Sequence, residues 1–345
     1  MRTIDAVRTL PPIPFADIRG GTSVDLLKIF PGKAEALARG ATNTFGLASR
    51  AAGAVALPLG DRASRNWLAR TGNPYRAEID ALAGRLQIRG VYFLNLCFEW
   101  GCTGGVWASQ TGPVLRRVLD WPFPALGTSM VVALQDGKAG AFYNITWPGL
   151  SGSFQGLAPG RFAAAINQAP MRRHRAGYAG DWLRNRIAVR GETGLPPAHL
   201  LRLVLETAPD YAAAKALLRD TRLAVPAIFL LSGVRDDEGC VIDRTEGEAA
   251  IRTLDGDAVC VANHFETRLG ASGAGWRARP IDSLGRAASA RALTAKDFAA
   301  DFAWFKPPIA NANSRLAFSA SAARGSLTLI GTDGPVQTTQ VFRLP

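Results

Sequence analysis

The spacing of apolar residues changes at Cys102, and that change constrains the fold more than any other feature of the chain. Before Cys102 the pattern is helical. Ser23 makes an N-cap for Val24, Leu26, Leu27 and Ile29-Phe30, an Ala- and Leu-rich stretch runs over 33–57, and Asn73-Pro74-Tyr75 opens a helix carried by Ile79, Leu82 and Leu86. After Cys102 the pattern is one of short strands. They fall at 106–109 and 114–120 about a Gln-Thr-Gly-Pro link, at 129–135 and 139–146 about Asp136-Gly137-Lys138, and at 161–167 behind the Gly-rich 149–160. Helical patterns return at 181–189, 198–207 and 211–218. Strands follow at 227–232, 239–244, 249–253 and 258–262, then a helix at 283–293 and two last strands at 326–331 and 336–342. Residues 1–20 read as extended, because Pro11, Pro12 and Pro14 forbid helix there. Blocks of strands divided by a block of helices predict an α+β fold with two antiparallel sheets and helices outside them.

Composition narrows the function classes. At 345 residues and 48% hydrophobic, the chain has material for one large core or two ordinary ones. Its net charge is +12, and only six of the 40 basic residues are Lys. Such an Arg excess is a common mark of genome composition; otherwise it points to an anionic surface. No nucleic-acid motif is present, so a membrane surface is the partner of that kind to expect. Four cysteines (97, 102, 240 and 260) and three histidines (174, 199 and 264) give neither a disulfide framework nor zinc spacing, and no metal or cofactor is expected. The first residues lack the apolar core of a signal peptide, and no run reaches the length of a spanning helix. The expected location is the cytoplasm, with peripheral membrane contact as the alternative.

Cys102 is the candidate nucleophile. A thiol must be deprotonated to react, so it needs a base or a field that lowers its pKa. His264, in Ala262-Asn263-His264-Phe265, is the one histidine with suggestive company; His174 and His199 read as solvated. The other base available is the nucleophile's own α-amine, which titrates near 7.7–8.0. That amine exists only if the chain is cut before Cys102. Gly101 leaves the bond sterically open, so the thiol can attack the Gly101 carbonyl, take the acyl group and release it to water.

Cys102-Thr103, followed by Arg117-Val118-Leu119-Asp120-Trp121, resembles the motif of the N-terminal-nucleophile hydrolases of the choloylglycine hydrolase group. The lead-in from Glu78 through Asn95 to Glu99-Trp100-Gly101-Cys102 is similar to the segment before the cleavage site in acid ceramidases and N-acylethanolamine-hydrolysing acid amidases. Thr146-Trp147-Pro148-Gly149, with Gly156 to Asn167-Gln168, resembles that group's Gly-rich substrate segment. Ala262-Asn263-His264-Phe265 resembles its Asn element and Asp282-Ser283 to Arg286 its later Arg element.

The resemblance implies a four-layer αββα sandwich. Residues 1–101 would be a helical, propeptide-like segment, cut off after Gly101 but kept bound, so that the protein becomes a heterodimer of its own fragments. Residues 102–345 would be the catalytic domain. Cys102 would be the nucleophile and its amine the base. Asp120 would orient that amine, Arg117 would favour the thiolate, Asn263 would donate its amide to the oxyanion, and Arg286 would support the site by charge pairing. Trp121, Phe123, Trp147, Gly149, Asn167 and Gln168 would meet the substrate, an N-acyl amide with an apolar acyl chain such as a fatty-acyl ethanolamide or ceramide. Residues 44–57 would help line the acyl pocket. Three positions depart from the pattern: Arg116 for Gly, Val118 for Asn, and Gln168 for a Glu that assists self-cleavage. They leave two alternatives open, an acyltransferase that passes the acyl group to an amine and an uncleaved homologue that only binds. Cys97 reads as a buried hydrophobe.

Overall fold

The computed structural model of the chain describes residues 9–37, 50–96, 100–123, 125–269 and 275–344, with backbone alone over 50–57. Cys97 and Glu99 lie outside the described residues, and of the stretch 44–57 expected at the acyl pocket, 44–49 lie outside them and 50–57 have no described side chain.

The lead-in holds one short strand, β1 (Phe15–Asp17), and helices at Ser23–Ile29, Arg50–Arg70, Arg76–Leu86 and Val91–Asn95. Residues 31–37 are helical too. Thr22 and Asp25 form a capping box that starts the first helix. From Gly101 onward come β2 (Gly101–Trp107), β3 (Val114–Asp120), β4 (Val131–Gly137), β5 (Gly140–Thr146), β6 (Gln155–Ala158), β7 (Phe162–Gln168) and the two-residue β8 (Met171–Arg172). Helices Gly177–Ala188, Pro197–Thr207 and Tyr211–Asp220 follow. Then come β9 (Ala227–Ser232), β10 (Gly239–Arg244), β11 (Ala249–Thr253), β12 (Ala258–Val261), β13 (Trp276–Arg277), helix Ser283–Arg291, β14 (Ser314–Ser321), β15 (Ser326–Asp333), β16 (Val336–Gln337) and β17 (Phe342–Arg343).

Among the described residues the strands form two large sheets. The first runs β1-β4-β5-β6-β7-β9-β10-β11, and the second β12-β2-β3-β14-β15-β16, with β17 also on β15. β2 and β3 face β7 and β9 across the interior. Helix Pro197–Thr207 covers the first sheet over β4 to β7, and helix Ser283–Arg291 covers β2 and β12 of the second. Leu200, Leu201, Val204 and Leu205 of the Pro197 helix are fully buried, each contributing roughly 1.5–3 kcal/mol of burial. The αββα layering follows from these contacts. No helix among the described residues is long and apolar enough to cross a membrane.

Four details differ from the sequence expectation. β1 pairs with β4 in parallel, so the lead-in adds an edge strand to the first sheet. Cys102 lies inside β2, whereas the expected strand began at 106. β14, a segment given no element from the sequence, is central to the second sheet, between β3 and β15. Its sequence, Ser-Arg-Leu-Ala-Phe-Ser-Ala-Ser, alternates weakly because small residues suffice where both faces are covered. Conversely, the strand expected over 336–342 is only two short pieces.

Candidate active site

The site grows from the β2–β3 hairpin. Register pairs Gly101 with Asp120, Cys102 with Leu119 and Gly104 with Arg117. Residues two apart on a strand share a face, so Cys102, Gly104, Arg117 and Leu119 all project from one side. Gly104 is what lets Arg117 reach the thiol. A Cβ there would lie 3.1 Å from the Arg117 Cβ and 3.0 Å from Leu230 Cδ2. With no side chain in the way, Arg117 Nη2 sits 2.8 Å from Cys102 Sγ. The guanidinium is held by the Ile166 carbonyl at 2.7 Å, by Gln155 Oε1 and by Asn167 Oδ1 at 3.4 Å. Cys102 and Arg117 are both fully buried.

Arg286 comes from the other side of β2. The Asp282 side chain caps its helix by accepting from the Gly285 N–H. One turn in, Arg286 Nη1 donates to the Cys102 carbonyl at 2.7 Å, Thr103 Oγ1 at 2.6 Å and Asp120 Oδ2 at 3.0 Å. Its Nη2 donates to Asn263 Oδ1 at 2.9 Å. That same oxygen accepts the Cys102 N–H at 2.9 Å. Asp120 Oδ1 receives Ser314 Oγ at 2.8 Å. The nitrogen of the Gly101–Cys102 bond is therefore held by Asn263, and the carbonyl of Cys102 by Arg286.

Two of these placements differ from the roles the resemblance implies. Asn263 was expected to offer its amide N–H to an oxyanion. In the structure its Nδ2 donates to the Gln168 carbonyl at 2.8 Å, and its oxygen accepts the Cys102 N–H. Asp120 was expected beside the amine; it lies opposite Gly101 but spends its oxygens on Arg286 and Ser314.

Burial sets the protonation states. It pushes the Cys102 thiol up to about 11, against the pull of Arg117. It also raises Asp120, opposed chiefly by Arg286. The site thus holds a neutral thiol beside a guanidinium.

Two cavities flank Trp100, the residue before Gly101. One, about 680 Å³ including its mouth open to solvent, is apolar, with Trp121, Phe123, Trp147, Gly149, Leu150 and Phe154 in its wall. The other is a cleft of about 750 Å³, open to solvent, whose lining is mostly apolar (Ile166, Met171, Trp182, Val189, Val225) with Asn167, Gln168 and three arginines among it. Trp100 lines the cleft, while its ring stacks edge-on against Phe154 at 4.7 Å and tilts against Trp121 at 6.1 Å. Four of the expected substrate residues (Trp121, Phe123, Trp147 and Gly149) thus share one apolar wall. Asn167 and Gln168 stand apart from them. Asn167 is fully buried, and its Nδ2 reaches the Ala262 carbonyl at 3.2 Å and ties the two sheets. Gln168 Oε1 accepts the Trp100 N–H at 3.0 Å.

Thr103, Gln155 and Ser314 belong to the network although sequence reasoning passed over them. Thr103 follows Cys102 directly and could have been found from strand alternation; Ser314 sits on the unrecognised β14. His264 makes no contact with the thiol: its Nδ1 lies 2.8 Å from Ser283 Oγ, which accepts the Asn263 N–H at 2.8 Å. His199, read as solvated, is fully buried, 2.8 Å from Asn73 Nδ2 and 3.3 Å from Ser151 Oγ, and burial lowers it to about 3.

No family model matches the chain. Over 184 residues it is 28% identical to the N-acylethanolamine-hydrolyzing acid amidase of Cavia porcellus, which takes in 51% of this chain and 50% of that protein. Over 106 residues it is 33% identical to the acid ceramidase of Homo sapiens, 30% of this chain and 25% of that one. The chain spans about half the length of the first of these relatives. Among solved structures, an N-acylethanolamine-hydrolyzing acid amidase ortholog of Caenorhabditis elegans superposes with a TM-score of 0.51 at 16% identity, covering 71% of this chain and 100% of that one. The fold is that of the N-terminal-nucleophile hydrolases.

Proposed function

We propose, from the premise that this chain is a homologue of the acid amidases and ceramidases whose fold it carries, that it is a self-processing cysteine amidase acting on N-acyl amides. The observation that carries the reading is the pairing of Arg117 Nη2 with Cys102 Sγ at 2.8 Å while Asn263 holds the Cys102 N–H at 2.9 Å. In the first reaction Sγ loses its proton and bonds to the Gly101 carbonyl carbon. The C–N bond breaks, the proton passes to the departing nitrogen, and a thioester joins Gly101 to Cys102. Water then hydrolyses the thioester, leaving a carboxylate on Gly101 and a free α-amine on Cys102. In turnover that amine takes the thiol proton and gives it to the amine of the substrate. Arg117 stabilises the thiolate throughout. Asn263 and Arg286 keep the new amine and the strand in place.

The acyl half of the substrate forms its thioester at the same sulfur as Gly101 does. Trp100 therefore marks the acyl path, and its stacking on Trp121 and Phe154 directs an apolar chain toward the apolar cavity. The lead-in stays bound after the cut. Arg202 of the catalytic part donates to Glu78 Oε1 at 2.5 Å in a buried contact, and Tyr75 Oη donates to Glu206 at 2.8 Å.

Helix Gly177–Ala188 exposes Tyr178, Trp182, Leu183 and Ile187 near several arginines, which favours peripheral contact with an anionic membrane. Co-sedimentation with anionic vesicles, weakened by salt and by Trp182→Ala, is the expected result.

An uncleaved binding protein is the competing reading, favoured by the complete burial of Cys102. Intact mass of the purified protein beside Cys102→Ala separates the two. Fragments of 101 and 244 residues, absent in the variant, are expected. A single 36.7 kDa chain in both would sink the α-amine mechanism.

A further inference from the structure

A line of hydrogen bonds runs into the active site from a histidine that never touches the thiol. Asn263, where the line arrives, is fully buried, and each of its polar groups has a partner. Its Oδ1 accepts the Cys102 N–H and Arg286 Nη2, both at 2.9 Å, and its Nδ2 donates to the Gln168 carbonyl at 2.8 Å. Its carbonyl accepts the Arg279 backbone N–H at 3.2 Å, and its own N–H donates to Ser283 Oγ at 2.8 Å. Two donors on the amide oxygen and a carbonyl on the amide nitrogen forbid a flip of the side chain. From the backbone side, the side chain that grips Asn263 is Ser283.

Ser283 is held in turn. It begins helix Ser283–Arg291 and is only 4% exposed. While its Oγ accepts from Asn263, its hydroxyl proton is free for His264 Nδ1, 2.8 Å away. The imidazole proton then belongs on Nε2, which faces Glu266 Oε1 at 3.6 Å. Glu266 is anchored by Arg252 at 3.2 Å and by Arg291. Ser283, His264 and Glu266 are the residue types of a hydrolytic triad. Here, however, the serine is buried, its oxygen already accepts a backbone N–H, and neither cavity has it in its wall. The line ends on Asn263 and, through Asn263 Oδ1, on the nitrogen of the Gly101–Cys102 bond.

We infer that Ser283 and His264 are positioning residues for self-cleavage, holding Asn263 so that its oxygen fixes the nitrogen that leaves Gly101. This rests on the self-processing reading and names the groups that tune its first step. The N–H of Cys102 stays on that nitrogen when the C–N bond breaks, so Asn263 can hold it from the intact peptide to the free amine. A misplacement of about 1 Å at reacting atoms costs roughly 100-fold in rate. Loosening Asn263 from its backbone side gives up part of that.

The test follows intact mass over time in chains made by cell-free translation. Ser283→Ala takes away the acceptor of the Asn263 N–H, and His264→Phe takes away the acceptor of the serine proton; each should slow the cut about tenfold or more. Ser283→Thr keeps the hydroxyl, and His264→Asn offers an amide oxygen in place of Nδ1. Both should cut within about threefold of the wild-type rate. Urea midpoints, measured for each change in the uncut Cys102→Ala background, separate lost rate from lost fold. Ala and Phe variants that cut as fast as the wild type would overturn the inference and leave self-processing standing. So would slow cutting that tracks a lowered midpoint with no rescue by Thr or Asn. If the wild-type chain itself stays intact, the self-processing reading fails and this inference with it.

Discussion

Two buried arginines with opposite surroundings divide the work of this molecule. Arg286 beside Cys102 meets one carboxylate, Asp120, and Arg117 lies on the other face of the strand, so the Cys102 thiol stands in a surplus of positive charge. Arg202, where the lead-in meets helix Pro197–Thr207, meets two carboxylates, Glu78 and Glu206, with the Tyr75 ring 4.5 Å from its guanidinium. There the surplus is negative, and it raises Arg202 further. The same residue types give a site poised to form an anion and a clamp with no reason to react. Coulomb energy is large in both places because both are dry. What separates them is the sign left over after pairing.

The sharpest way to break the contrast is to remove the surplus at the thiol. Arg117→Met leaves Cys102 in an apolar pocket with its thiol already near 11. If Arg117 supplies about two to three pKa units, self-cleavage slows roughly 100- to 1,000-fold. A time course of intact mass measures it. A rate within threefold of the wild type would mean the thiolate is stabilised elsewhere. At the clamp, Glu78→Gln has the opposite profile. Its effect is on stability, about 3 kcal/mol for a buried pair losing one partner, with self-cleavage kept. Urea unfolding reads the first, and gel filtration of the cut protein reads whether residues 1–101 come away.

The hairpin that places Cys102, Arg117 and Asp120 was legible because it is local. The strands are joined by a short turn, and alternation fixes which side chains share a face. Asn263 and Arg286 reach Cys102 across sequence separations of 161 and 184 residues, and only a resemblance could point to them. Their atomic roles were less legible still, because the orientation of the Asn263 amide depends on the Gln168 carbonyl and on Arg286 together. β14 escaped because its small residues carry little periodic signal, and with it went Ser314, the partner of Asp120. The clamp escaped as well. Glu78 and Asn73 look like ordinary helix-start residues until helix Pro197–Thr207 brings Arg202 and His199 against them.

Acid separates the two regions once more. His199 has a folded pKa of about 3, against an ordinary value of 6.5. The unfolded chain therefore binds a proton there that the folded chain refuses. The stability from keeping His199 neutral is full above about 6.5 and is lost as pH falls toward 3, at about 1.4 kcal/mol per unit. Asp120 runs the other way. Its folded pKa is raised above 3.8, so its contribution is full at acid pH and is lost as pH rises. Acidification thus loosens the clamp and eases the site. From pH 6.5 to 5 the wild-type protein should lose about 2 kcal/mol through His199. His199→Gln, which keeps an amide for Asn73 and Ser151 but cannot charge, should lose that much less over the same interval. Urea midpoints at the two pH values for both proteins make the comparison. Equal losses in the two would place the acid sensitivity outside the clamp, and the division of charge between the two arginine networks would no longer explain how the halves respond to pH.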